Sequence, residues 1–140
     1  MSEQSFRGSC VCGAVVYRIE APFLGFQNCY CSRCRKRSGT AHASSIFVAV
    51  DRLVWEQGES HVKQYELPSA KYWCSAFCDV CGSALPWKTR TGKAYVTPAG
   101  ALDDDPQDKP RMNIFHASRA PWLDGPHELP THDEMPPRKK

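Results

Sequence analysis

Apolar and polar residues alternate along AVVYRIE (14–20), which sets Val15, Tyr17 and Ile19 on one face at period two, as a half-buried strand requires. Pro22 and Gly25 then turn the chain, and Phe26–Cys29 resumes an extended path. SIFVAV (45–50) is β-branched and apolar, and LVWEQ, HVKQYEL and KYWCSAF read as successive strands. Asp51-Arg52 and Gly58-Glu59-Ser60 supply turns between them. SALPW and AYVTPAGAL follow on either side of Gly92, then an acidic, proline-bounded loop (DDDPQDKP, 103–110) and a last strand, MNIFHA. Only Ser32–Ser38 suggests helix: one short turn capped by Ser32 and ended near Gly39. From Ser118 on the chain is too proline-rich for regular structure, with Trp122 and Leu129 expected to pin it to the body. The pattern predicts an all-β domain.

Composition narrows this reading without changing it. A chain of 140 residues suits one domain with a single modest core, here residues 1–140 with a core over about 6–129 and a flexible tail over 130–140. With 41% hydrophobic and 24% charged residues it belongs with globular proteins and not disordered ones. No stretch has the length or apolar purity of a membrane span. The opening MSEQSFRGS lacks the apolar run of a secretory signal, so a cytoplasmic location is expected. A net charge of +3 is too small to argue for nucleic acid, and the closing PPRKK reads as a solvated tail.

Eight cysteines in a reducing compartment are not expected to be disulfides, and those that cluster are expected to be metal ligands. They cluster as Cys10-x-Cys12-Gly13, Cys29-x-Cys31-x-x-Cys34 and Cys78-x-x-Cys81-Gly82, with Cys74 apart. Two cysteines separated by one residue on an extended segment face the same side, and a C-x-x-C-G turn wraps around an ion, its glycine tolerating the backbone such a turn needs. One pair of each kind supplies four thiolates for a closed tetrahedral site. Three thiolates in six residues leave a corner open, as catalytic zinc requires. Spacing alone also allows Cys10 and Cys12 to pair with two of the middle three, or Cys74 to close the middle site. The reading preferred for Cys74 is a buried inert thiol. Iron–sulfur ligation fits less well, because no C-x-x-C-x-x-C run with a trailing C-P is present.

GSCVCGAVVY, CYCSRCRKRSG, FCDVCGSAL, PAGALDDDP and APW, in that order, resemble the glutathione-dependent formaldehyde-activating family, to which centromere protein V belongs. The resemblance runs from about Phe6 to Leu129. It implies a β-tent of small antiparallel sheets organised around two zinc ions. By motif position, Cys10, Cys12, Cys78 and Cys81 match the structural ligands, and Cys29, Cys31 and Cys34 the catalytic ones. It further implies a carbon–sulfur lyase that joins glutathione and formaldehyde to S-(hydroxymethyl)glutathione, the alternatives being a glutathione or aldehyde carrier without turnover and a zinc-stabilised interaction module. The family often has His between the first two middle cysteines, where this chain has Tyr30. On an extended segment that side chain points away from its flanking cysteines, so the metal is expected to survive and the substrate specificity to be affected.

Arg33, Arg35, Lys36 and Arg37 surround the middle cluster, and Arg33 and Arg37 are the candidates for the glutathione carboxylates. The competing reading is a solvated basic face. His42, His61, His116, His127 and His132 form no chelating pair, and His116 is the candidate proton donor. The acids of 103–105 are expected to serve a turn or cap.

Overall fold

The computed structural model describes residues 4–124 and 128–139. Ten strands dominate: β1 Ser5–Ser9, β2 Val16–Glu20, β3 Gly25–Cys29, β4 Ala43–Ala49, β5 Leu53–Gln57, β6 Val62–Glu66, β7 Cys74–Cys78, β8 Trp87–Lys88, β9 Ala94–Pro98 and β10 Met112–Ile114. One α-helix, α1 (Ser32–Ser38), and several single 3-10 turns complete the described residues. The strands form three small sheets, ordered β1-β2-β5, β10-β3-β4-β9-β8 and β6-β7. The all-β expectation holds, with one parallel pairing, β10 against β3, inside otherwise antiparallel sheets.

One core joins the first two sheets. Phe6, Tyr17, Ile19 and Leu53 from one pack with Phe26, Ile46 and Val48 from the other, and Val15, Leu85, Cys10 and, from β7, Ala76 and Cys78 complete the cluster. The alternation does what it promised, because Val15, just before β2, and Tyr17 and Ile19 within it are fully buried. Strand β1 was not expected: SFRGS carries one large apolar residue. Its Gly8 pairs with Tyr17, and a methyl there would run into the Tyr17 ring. The small residue leaves room for the ring of the neighbouring strand.

Other boundaries shift for local reasons. KYWCSAF becomes strand only from Cys74, because residues 67–73 form a loop clamped by Arg90, whose guanidinium donates to the carbonyls of Ala70 (2.6 Å), Leu67 (2.7 Å), Lys71 (3.2 Å) and Trp73 (3.4 Å). SALPW contributes only its last residue to β8. The acidic loop is tied to β1, with Asp103 accepting from the Ser9 hydroxyl at 2.8 Å and Asp104 from the Arg7 N–H at 2.8 Å. Trp122 and Leu129 stand 70% and 76% exposed, so neither pins the tail. Arg35 performs part of that task, donating to Tyr30 O and Ser118 O, each at 3.4 Å.

Candidate metal centres

The seven clustered cysteines gather into two groups. The sulfurs of Cys10, Cys12, Cys78 and Cys81 lie within 4.8 Å of one another, and so do those of Cys29, Cys31 and Cys34. Cys74 joins neither. It is buried at the start of β7, its Sγ 3.5 Å from Tyr72 O.

The closed group is built from two knuckles. Cys10 follows β1, and Gly13 N–H donates to Cys10 O at 3.0 Å; Cys78 ends β7, and Gly82 N–H donates to Cys78 O at 2.8 Å. Both glycines sit at φ +79°, a conformation costly for a residue with a Cβ. The Cys10–Cys12 segment is therefore a tight turn and not the extended pair expected from its spacing, and the turn brings the two sulfurs together instead. Sulfurs 2.3 Å from a central zinc in a tetrahedron lie about 3.8 Å apart. The Cys10–Cys12 and Cys12–Cys78 separations, 3.5 and 4.0 Å, bracket that value.

Polar contacts hold the knuckles in register. Ser83 Oγ accepts the Val11 N–H at 3.0 Å and lies 3.2 Å from Cys81 Sγ, so one hydroxyl touches both knuckles. The Ser83 hydroxyl and N–H pull the Cys81 thiol down to about 6. His61 is not a ligand; its Nδ1 meets Asp79 Oδ1 at 2.8 Å and braces the second knuckle against β6.

The open group sits where three elements meet. Cys29 ends β3, flanked by Ala43 of β4 and Ile114 of β10. Tyr30 N–H donates to Ile114 O at 3.1 Å, which redirects the chain into α1. Cys31, not Ser32, caps that helix: its sulfur accepts the Cys34 N–H at 3.4 Å. Gly39 closes the helix in the left-handed conformation. Burial pushes the Cys34 thiol up, and the neighbouring Cys29 and Cys31 sulfurs push it further. Burial works against ionisation at Cys31 too, but the N–H groups of Cys34 and Arg33 and the adjacent sulfurs outweigh it, leaving that thiol below its ordinary value. Three thiolates so close repel one another and ionise together only around a cation. Among the described residues no fourth Cys, His, Asp or Glu completes this group.

The basic run divides by position. Arg33 and Lys36 are exposed, and Arg35 is engaged with backbone carbonyls. Arg37 turns inward, its guanidinium 4.6 Å from the centre of the Trp87 ring and its Nε buried without a hydrogen-bond partner among the described residues. Burial lowers its pKa, and the charges of Cys34, Cys29 and Cys31 oppose that shift. Arg37 also lines a cleft of about 1060 Å³ that runs past His42, Trp73, Ser75 and Ala101 to Cys10 and Asp103. Tyr30 is buried as well, between the rings of His42 at 5.0 Å and His116 at 4.8 Å. His127 lies outside the described residues, and the exposed His132 belongs to neither group.

Comparison with known proteins adds three findings. The sequence profile described as glutathione-dependent formaldehyde-activating enzyme matches residues 5–118. A Halomonas elongata protein carrying the same family name is 32% identical over 128 residues, 84% of this chain and 78% of that one. The crystal structure of a Rhodobacter sphaeroides protein superposes with a TM-score of 0.58 at 24% identity, covering 74% of this chain and 97% of the other, a likeness of fold.

Proposed function

Because the chain belongs to the glutathione-dependent formaldehyde-activating family, we propose that it is a cytoplasmic, zinc-dependent carbon–sulfur lyase that joins glutathione and formaldehyde, in the manner of S-(hydroxymethyl)glutathione synthase. The observation that carries this reading is the three-sulfur group of Cys29, Cys31 and Cys34 with no fourth ligand among the described residues. Soft thiolate sets of this kind suit zinc. Zinc bound with one position free supplies a Lewis acid that favours the thiolate of a ligand thiol at neutral pH. Cys10, Cys12, Cys78 and Cys81 would hold a second, structural zinc, giving two per chain.

The remaining roles fall to the chain's own side chains. Arg37 lies against the excess negative charge of three thiolates and faces the cleft from that position. It is placed to take one glutathione carboxylate, with Arg33 one turn earlier on exposed α1 for the other. Trp73 and Ala101 supply apolar wall beside it. No described helix is long and apolar enough to cross a membrane.

The test is calorimetry with glutathione and with S-methylglutathione, which keeps both carboxylates but cannot ionise at sulfur. Wild type should prefer glutathione, and Cys31→Ser should erase that preference while leaving a weaker, salt-sensitive component from the arginines. Equal affinities for the two ligands, unchanged in the variant, would remove the metal as the thiol site.

A further inference from the structure

A side-chain rung beneath the cleft reaches the ring of a histidine. Asn113, Asn28 and Ser44 occupy paired positions on β10, β3 and β4. Asn28 Nδ2 donates to Asn113 Oδ1 at 3.2 Å, which turns the Asn28 carbonyl oxygen toward β4, where it accepts the Ser44 hydroxyl at 2.8 Å. Ser44 Oγ also lies 3.2 Å from His42 Nδ1. A hydroxyl has one proton to donate, and Ser44 gives it to Asn28. With the Asn28 amide in this orientation, the Ser44 oxygen accepts from His42, so that Nδ1 carries the hydrogen and Nε2 keeps its lone pair. Among the described residues nothing hydrogen-bonds to Nε2.

Position and support single out the same residue. His42 lines the cleft, and its carbonyl is held by the Thr40 hydroxyl at 2.6 Å, itself 2.7 Å from Ser38 Oγ at the end of α1. Its ring packs on Tyr30, the residue between Cys29 and Cys31. His116 touches Tyr30 from its own 3-10 turn after Phe115, but it is exposed and does not line the cleft. The other charged or titratable groups on the cleft wall are Arg37 from α1, Cys10 after β1 and Asp103 from the acidic loop, and none of them hydrogen-bonds to the His42 ring.

We propose that His42, through Nε2, is the proton-transfer residue for addition of a thiol to an aldehyde at the three-sulfur group, whose Cys29 and Cys31 flank the Tyr30 on which the His42 ring packs, a role that rests on the carbon–sulfur reading above. Nε2 takes the proton that the thiol loses in becoming thiolate, and the thiolate electron pair then forms the carbon–sulfur bond. The carbonyl π pair moves to oxygen, and the imidazolium returns its proton there. The adduct is a hemithioacetal, no external oxidant or reductant takes part, and the reverse sequence cleaves it. Ser44 is the positioning residue that keeps the lone pair on Nε2.

Two readouts test this on the metal-loaded protein. Nitrogen-15 spectra of the imidazole rings should show His42 as the Nδ1–H tautomer in wild type and a shift toward Nε2–H in Ser44→Ala. Magnetisation exchange between glutathione and its formaldehyde adduct should fall about 100-fold in His42→Gln and about tenfold in Ser44→Ala, with glutathione affinity changed by less than about twofold in both. An Nε2–H tautomer in wild type, or wild-type exchange rates in His42→Gln, overturns the role of His42 and leaves the carbon–sulfur reading standing. A wild type that accelerates no exchange overturns that reading, and the role with it.

Discussion

Replacing Arg90 by alanine should loosen one wall of the cleft while leaving both metal groups intact. The guanidinium is three-quarters covered, and its two short bonds, 2.6 Å to Ala70 O and 2.7 Å to Leu67 O, are charge-assisted. Each contributes about 1.5 kcal/mol, and the two long bonds to Lys71 and Trp73 add little, so the clamp amounts to about 3 kcal/mol. The ion pair with Glu66 is long, 3.5 Å, its carboxylate 58% exposed, and is left out of that sum. Part of the loss should be local, because residues 67–73 can open without the sheets unfolding. Urea unfolding of the metal-saturated protein should show a loss of about 2–3 kcal/mol, and Arg90→Lys about half of it. Hydrogen exchange should speed up at Leu67 and Ala70, whose N–H groups bond to Trp73 O and Leu67 O within the same loop. Glutathione affinity should fall too, because Trp73 lines the cleft. A change below about 0.5 kcal/mol with loop exchange unaltered would refute the clamp.

Two further substitutions separate the metal groups. Ser83→Ala removes the hydroxyl shared by Val11 N–H and Cys81, so chelator competition should show the four-sulfur site weakened about 10- to 100-fold with the three-sulfur site unchanged; equal effects at both sites would contradict the assignment. Cys74→Ala should retain two metal ions per chain and cost about 1 kcal/mol, read by metal analysis and urea unfolding, whereas loss of one ion would make Cys74 a ligand.

What the sequence disclosed and what it hid follow from the range of each interaction. LVWEQ matched β5 end to end because its strand signal is local, and the cysteine grouping followed from spacing and fold resemblance together. SFRGS was missed because its strand character depends on a ring two residues before Ile19 lying over Gly8. Ser32 was the natural cap by propensity, but Cys31 took the role because its sulfur had to face Cys29 and Cys34. The basic run looked uniform, yet only Arg37 turns inward, onto a tryptophan 50 positions away in the chain. Arg90 and His42 carried no local signal at all. One acts on carbonyls about 20 residues back, and the other draws its meaning from a rung across β10, β3 and β4.

The central claim is that one metal group is closed by four protein sulfurs and the other keeps a position for a substrate thiol. X-ray absorption at the zinc edge measures the mean number of sulfurs around each ion. The four- and three-cysteine groups predict about 3.5 sulfurs per zinc in the free protein, rising to about 4 with glutathione and unchanged with S-methylglutathione. A value of 4 before any thiol is added, or no rise with glutathione, would contradict it.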